Sequence, residues 1–160
     1  MASNYLAELE AIQRWVKAAT GLNSIRLQTA PPKVARPVIL WEAPSRSRDR
    51  NITRWMYVNQ VTQYGKLYAN DLGQLLDFQD KLFSDLEERV GVLPVYNQAG
   101  QQIGKLEAVQ LTFRETEGLD VPIEVRYQVT YSRTKPVEPP APTAVYTKVT
   151  YQEGGSADGQ

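Results

Sequence analysis

The chain has 160 residues, with 18 basic and 18 acidic side chains, no cysteine and no histidine; 42% of it is hydrophobic and 22% charged. This balance describes one globular domain and excludes a disordered chain, a membrane-spanning one and a broadly basic nucleic-acid binder. Missing Cys and His remove disulfides, thiolate chemistry, Cys-based metal sites and the commonest general base, so no catalytic residue, cofactor or metal ligand is expected.

MASNYLAELE at the N-terminus has neither a basic nor a long apolar stretch and does not read as a signal peptide, which predicts a cytoplasmic start. From Tyr5 to Thr20 the spacing predicts an amphipathic helix with Tyr5, Leu9, Ile12, Val16 and Ala19 on one face and Leu6 and Trp15 at its edges. Gly21 is placed to take the left-handed conformation that ends many helices. Ser24 to Thr29 predicts a short strand. After a proline-stiffened connection, the apolar run Val38 to Trp41 predicts a strand through Glu42 covered on both faces.

SRSRDRN, from Ser45 to Asn51, is the most polar and basic stretch and reads as a loop between two strands. Two readings stay open for Arg46, Arg48, Arg50 and the nearby Arg54. They are solvated, or they face an anionic partner or the phosphates of DNA in a lumen. Arg54 to Tyr64 predicts a strand whose mixture of aromatic and amide side chains suits a surface that meets another protein. Gly65 to Ala69 leads into the one long helix.

That helix runs from Asn70 to Arg89, capped by Asn70 or Asp71, with Leu72, Leu75, Leu76, Leu82, Phe83 and Leu86 as a single stripe interrupted by Gln79. Its other face carries Asp77, Asp80, Asp85, Glu87 and Glu88 and reads as solvated. A short strand at Val92 to Asn97 and a turn at Asn97 to Gln102 follow. In the next strand, Ile103 to Glu115, the apolar parity changes, which predicts a bulge at Glu107 to Val109. Val121 to Tyr131 alternates without a break and predicts the last core strand.

Lys135 to Ala144 is proline-rich and predicts a stiff spacer. Beyond it Val145, Thr147, Val149 and Tyr151 alternate with Tyr146, Lys148 and Thr150. Such a lone strand folds back on its own sheet, stays disordered, or adds to a neighbouring subunit as an arm; all three remain open. The expected architecture is α+β: a mixed, mostly antiparallel sheet of four to five strands flanked by an N-terminal helix and one long central helix. The expected divisions are a domain at 1–134, the linker at 135–144, the arm at 145–153 and a flexible tail at 154–160.

No serine elbow, glycine-rich dinucleotide loop or metal-ligand spacing is present in the sequence. Binding or assembly is therefore the expected task. An amphipathic helix ending at Thr20 to Leu22, the strand PVILWE at Pro37 to Glu42, an aromatic and amide-rich strand before a long helix, then VLPVY and two long antiparallel strands together resemble the tail-terminator proteins of long-tailed bacteriophages and prophages. This resemblance spans Tyr5 to about Arg133 and rests on element order. It implies a structural virion protein, not an enzyme. Such proteins form a homo-oligomeric ring, expected as a hexamer, that caps the head-proximal end of the tail tube, ends its polymerisation and joins tail to head.

The implied partners are the tail tube protein, a head-completion or connector protein, and DNA passing through the lumen without sequence-specific binding; no membrane is involved. The implied location is the host bacterial cytoplasm during assembly and then the virion neck. The proline-linked extension lies outside the family pattern. Alternatives are a head-completion (stopper or adaptor) or baseplate protein, a small carboxylate enzyme, and a cellular peptide-binding module using an open sheet edge.

Overall fold

The computed structural model of the protein describes residues 4–137. The elements are α1 (Asn4–Thr20), β1 (Asn23–Arg26), a 3₁₀ turn (Leu27–Thr29), β2 (Val38–Trp41), β3 (Ser45–Asn51), β4 (Met56–Tyr68), α2 (Leu72–Glu88), β5 (Leu93–Tyr96), β6 (Gln102–Phe113) and β7 (Asp120–Ser132). The α+β content was expected, but the curled mixed sheet has seven strands, not four or five. Its order is β1-β2-β4-β7-β6-β5, with β3 also paired to β4. Among the described residues only the β1–β2 pair is parallel.

β4 and β7 are the spine. Their antiparallel register runs unbroken from Met56↔Ser132 to Tyr68↔Asp120. Along the other edge of β4 lie β2, opposite Gly65 to Tyr68, and then β3, opposite Tyr57 to Thr62. Ser45 to Asn51 is therefore a strand and not the expected loop. Its Ser/Arg alternation already has the period of a strand, and the ladder offered by β4 outweighs its weak intrinsic preference. Gly65 to Tyr68, expected as a lead-in to the helix, likewise belongs to β4 and pairs with both β2 and β7.

Odd-numbered residues of β4 and β7 face the helices. Val61, Leu67, Val121, Ile123, Val125 and Tyr127 join Ile12, Trp15, Val16, Leu82 and Leu86 in one core cluster. The amides Asn59 and Gln63 are buried on this same side, against the expectation that the amides of β4 face a partner. Gln63 donates from Nε2 to the Glu42 and Tyr64 carbonyls, which satisfies its donor inside the sheet. Gly65 is a close-approach position: a Cβ there would stand 2.6 Å from the Trp41 ring and 3.0 Å from the Leu40 carbonyl.

The expected bulge is present. β6 shifts register between Glu107 and Gln110, with Ala108 at φ 49°. The kink divides the strand, so its first half pairs with β5 and its second half with β7.

α1 buries Ala7, Glu8, Ala11, Ile12, Trp15 and Val16, a face rotated from the expected one so that Trp15 is central and Tyr5 is exposed. Gly21 takes the expected left-handed φ of 75° and donates to the Lys17 carbonyl. Asp71 caps α2 by accepting from the Gln74 amide at 2.7 Å, and Gln74 Oε1 accepts in return from the Asn70 amide at 2.8 Å. The far end closes with Gly91 N–H on the Leu86 carbonyl and Val90 N–H on the Glu87 carbonyl. This pattern places a left-handed residue after the cap, and the chain puts a valine there, at φ 55°.

The leucine stripe is corrected in part. Leu75, Phe78, Leu82 and Leu86 face the core, while Leu72, Leu76 and Phe83 are 61%, 54% and 42% exposed. On a helical projection at about 100° per residue, Leu72, Leu76 and Phe83 fall within about 40° of each other, next to the buried face and distinct from it.

Candidate functional site

Three regions gather the polar and exposed apolar chemistry. The first is a buried ionic cluster between α1 and the sheet. Glu8 lies on the core face of α1, and Arg46 reaches from β3 to place Nη2 2.6 Å from its Oε2. Tyr127 donates its hydroxyl to Glu8 Oε2 at 3.1 Å, and Tyr131 donates to Oε1. The Arg46 guanidinium also stacks on the Tyr5 ring at 3.6 Å and hydrogen-bonds the Tyr131 hydroxyl at 2.8 Å.

Burial raises the Glu8 pKa above the ordinary carboxylate value, against the pull of the Arg46 hydrogen bond and charge. Burial, then the Glu8 charge, also pushes the Tyr127 phenol well above its usual value. An adjoining cleft of about 180 Å³ touches Glu8 and Tyr131. It is below the roughly 300 Å³ at which small-molecule sites begin. The cluster is satisfied internally and serves to clamp β3 onto α1.

The second region is the end of the β3–β4 hairpin. Arg46, paired with Val61, and Arg48, paired with Asn59, share the helix-side face; after the irregularity at Asp49, Arg50 pairs with Val58 and turns to the other face. Arg48 lies 5.3 Å from the Tyr57 ring, and Arg133 approaches the same ring at 4.9 Å. Arg50 pairs with its neighbour Asp49, and Arg54 stands over Trp55 at 5.1 Å. The four arginines singled out in the sequence therefore do not form one patch. Arg46 is turned inward, Arg48 and Arg54 rest on aromatic faces, and Arg50 is neutralised by a neighbour. Arg133 was not singled out, yet it fastens the hairpin by donating to the Arg54 carbonyl at 2.7 Å and to Asn51 Oδ1 at 2.8 Å.

The third region is an apolar groove of about 620 Å³ between α2 and the turn joining β6 to β7, lined by Leu72, Leu75, Gln79, Phe83, Phe113 and Leu119. Phe83 and Phe113 meet edge-to-face across it at 5.7 Å. Arg114, Glu115 and Glu117 line it as well, so its lining is apolar on the α2 side and charged at the turn. Among the described residues no group of three or more His, Cys, Asp or Glu is placed to hold a metal ion, and no helix is long and apolar enough to cross a membrane.

Glu8, Tyr127 and Tyr131 were missed by the sequence reading. The available signal was a carboxylate inside the apolar arc of α1, four residues before Ile12. The expected arm residues Val145, Tyr146, Thr147, Lys148, Val149 and Tyr151 lie outside the described residues. Compared with models of known protein families the chain matches none, and no curated protein matches it.

Proposed function

We propose that this chain is a structural subunit that assembles head-to-tail into a ring, expected as a hexamer. The ring caps the head-proximal end of a phage tail tube, ends tube polymerisation and joins tail to head. One observation carries the assembly part of this reading. The β4–β7 ladder is twelve steps long, about 40 Å at about 3.3 Å per residue, and its two ends carry unlike surfaces.

At the Tyr68/Asp120 end lies the apolar groove beside α2. At the Met56/Ser132 end lies the arginine and aromatic hairpin. Neither surface resembles the other. A contact that joins one to its counterpart on a neighbour is therefore heterologous, and such contacts form a ring when the rotation between subunits closes.

The tail-terminator assignment rests on the order of elements described above. Exposed Arg48, Arg50 and Arg54 are assigned to a ring surface or to the lumen through which DNA passes, where contacts to phosphate need no base recognition. Light scattering after size exclusion and negative-stain imaging, with and without tail tube protein, test the reading. A closed ring that binds tube ends supports it. A monomer at high concentration, with no ring when tube is supplied, refutes it. Association with a portal complex in place of the tube reassigns the ring to head completion.

A further inference from the structure

We infer that the tip of the β3–β4 hairpin of one copy docks in the groove beside α2 of the next copy, so that the contact between subunits is tip into groove. The first support is the build of the tip. Residues 52–55 turn the chain between β3 and β4, and the turn is tied from several sides. The Ile52 and Thr53 amides donate to the Met56 carbonyl at 2.9 and 3.1 Å, and Thr53 Oγ1 accepts from the Trp55 and Met56 amides, each at 3.1 Å. The Arg133 amide donates to the Trp55 carbonyl at 2.7 Å. A knob held this way loses little conformational freedom on binding. It nevertheless leaves Ile52 and Met56 exposed.

The second support is charge. Arg48 and Arg54 rest on aromatic rings and pair with no carboxylate among the described residues. At the groove, Glu115 and Glu117 pair with no cation among the described residues, whereas Arg114 is held by Glu124. The tip is thus apolar with uncompensated positive charge. The groove is apolar along Leu72 and Phe83, both exposed, with uncompensated negative charge at the turn. An apolar centre with a charged rim of matching sign steers and orients two partners. Tip against tip brings arginines together and groove against groove brings glutamates together, whereas tip in groove joins opposite charges.

Reach assigns the two surfaces to different copies. Phe113 of the groove lies opposite Ile123, and Ile123 lies opposite Gly65. From Met56 to Gly65 β4 runs about 30 Å at about 3.3 Å per residue. The tip is anchored to that strand, so it cannot turn back onto its own groove. This inference rests on the ring reading and narrows it: Arg54 belongs to the contact between subunits and not to the lumen.

The chain has no cysteine of its own, which makes thiol pairing a clean test. Full-length Ile52→Cys and Leu72→Cys chains, each altered at an exposed position, are co-expressed, oxidised mildly and run on a denaturing, non-reducing gel. A linked dimer is expected from the mixture and from neither variant alone. A link formed by Ile52→Cys alone shows tip against tip and overturns the inference. So does the absence of a link both here and with Phe83→Cys in place of Leu72→Cys.

In parallel, Arg54→Glu, and Glu115→Lys together with Glu117→Lys, are each expected to lower the assembled fraction about tenfold at fixed concentration, with an unchanged far-UV circular dichroism spectrum. All three changes in one chain are expected to restore assembly. A wild-type chain that is monomeric sinks the ring reading and this inference together. A ring that the charge variants leave intact sinks this inference alone. Variants that keep the ring but lose tube binding assign the groove to the tube protein and also overturn it.

Discussion

Arg46→Ala separates a surface arginine from a structural one. Arg46 and Glu8 form an ion pair at 2.6 Å with their side chains only 16% and 3% exposed. Removing one partner of a buried pair leaves the other charge uncompensated, and such losses run to about 3–5 kcal/mol, a large part of the roughly 5–15 kcal/mol that holds a domain together. With a urea slope of about 2 kcal/mol/M, the midpoint drops by about 2 M. Arg48→Ala and Arg50→Ala, at exposed positions, stay within about 0.5 kcal/mol.

The pH dependence fixes the cause. Burial raises the folded-state pKa of Glu8 above its unfolded value. Its contribution is then fully present below the unfolded pKa and is lost as pH rises through the folded one. Arg46→Ala removes the two strongest influences that lower this pKa, its hydrogen bond and its charge, so the window extends upward and the deficit grows from acid to neutral pH. Glu8→Gln added to Arg46→Ala abolishes that growth. Urea denaturation across this range is the assay. A deficit below about 0.5 kcal/mol, or one independent of pH, refutes the clamp.

Other substitutions read other parts of the fold. Gly65→Ala drives a methyl into the Trp41 ring and is expected to cost about 1–3 kcal/mol, with a shift in tryptophan fluorescence. Val90 is 83% exposed and left-handed, so Val90→Asn relieves strain without losing contacts and raises stability by about 1 kcal/mol in thermal unfolding. Tyr127, whose folded pKa is raised, makes stability fall as pH climbs past the phenol's usual value near about 10. Tyr127→Phe flattens that alkaline fall and lowers neutral-pH stability by about 1 kcal/mol for the lost hydrogen bond to Glu8.

Both helices, the apolar strands and the β6 bulge were legible because each carries its own period, or a break in it. Glu107 to Val109 was readable since two runs of opposite parity meet there, and the register shift falls between Glu107 and Gln110. β3 was not legible. Its composition is that of a loop, and what makes it a strand is an edge of β4 some ten residues away. The arginine set failed for a related reason. Arg46 is indistinguishable from Arg48 in sequence until α1 supplies Glu8, 38 residues away. The leucine stripe of α2 was legible as an amphipathic helix. Its division into a core face and an exposed face was not, since two adjacent apolar faces give the same spacing as one wide one.

The sheet's open edges are defended unequally, and this asymmetry bears on how copies meet. β3 exposes Arg48, Asp49 and Arg50 along its length, and charges on an edge strand oppose pairing with another chain. Leu111 and Phe113 carry no charge themselves, and the groove beside Phe113 combines apolar side chains of α2 with Arg114, Glu115 and Glu117. Edge-to-edge association of two identical copies through β3 would bring like-charged arginines together.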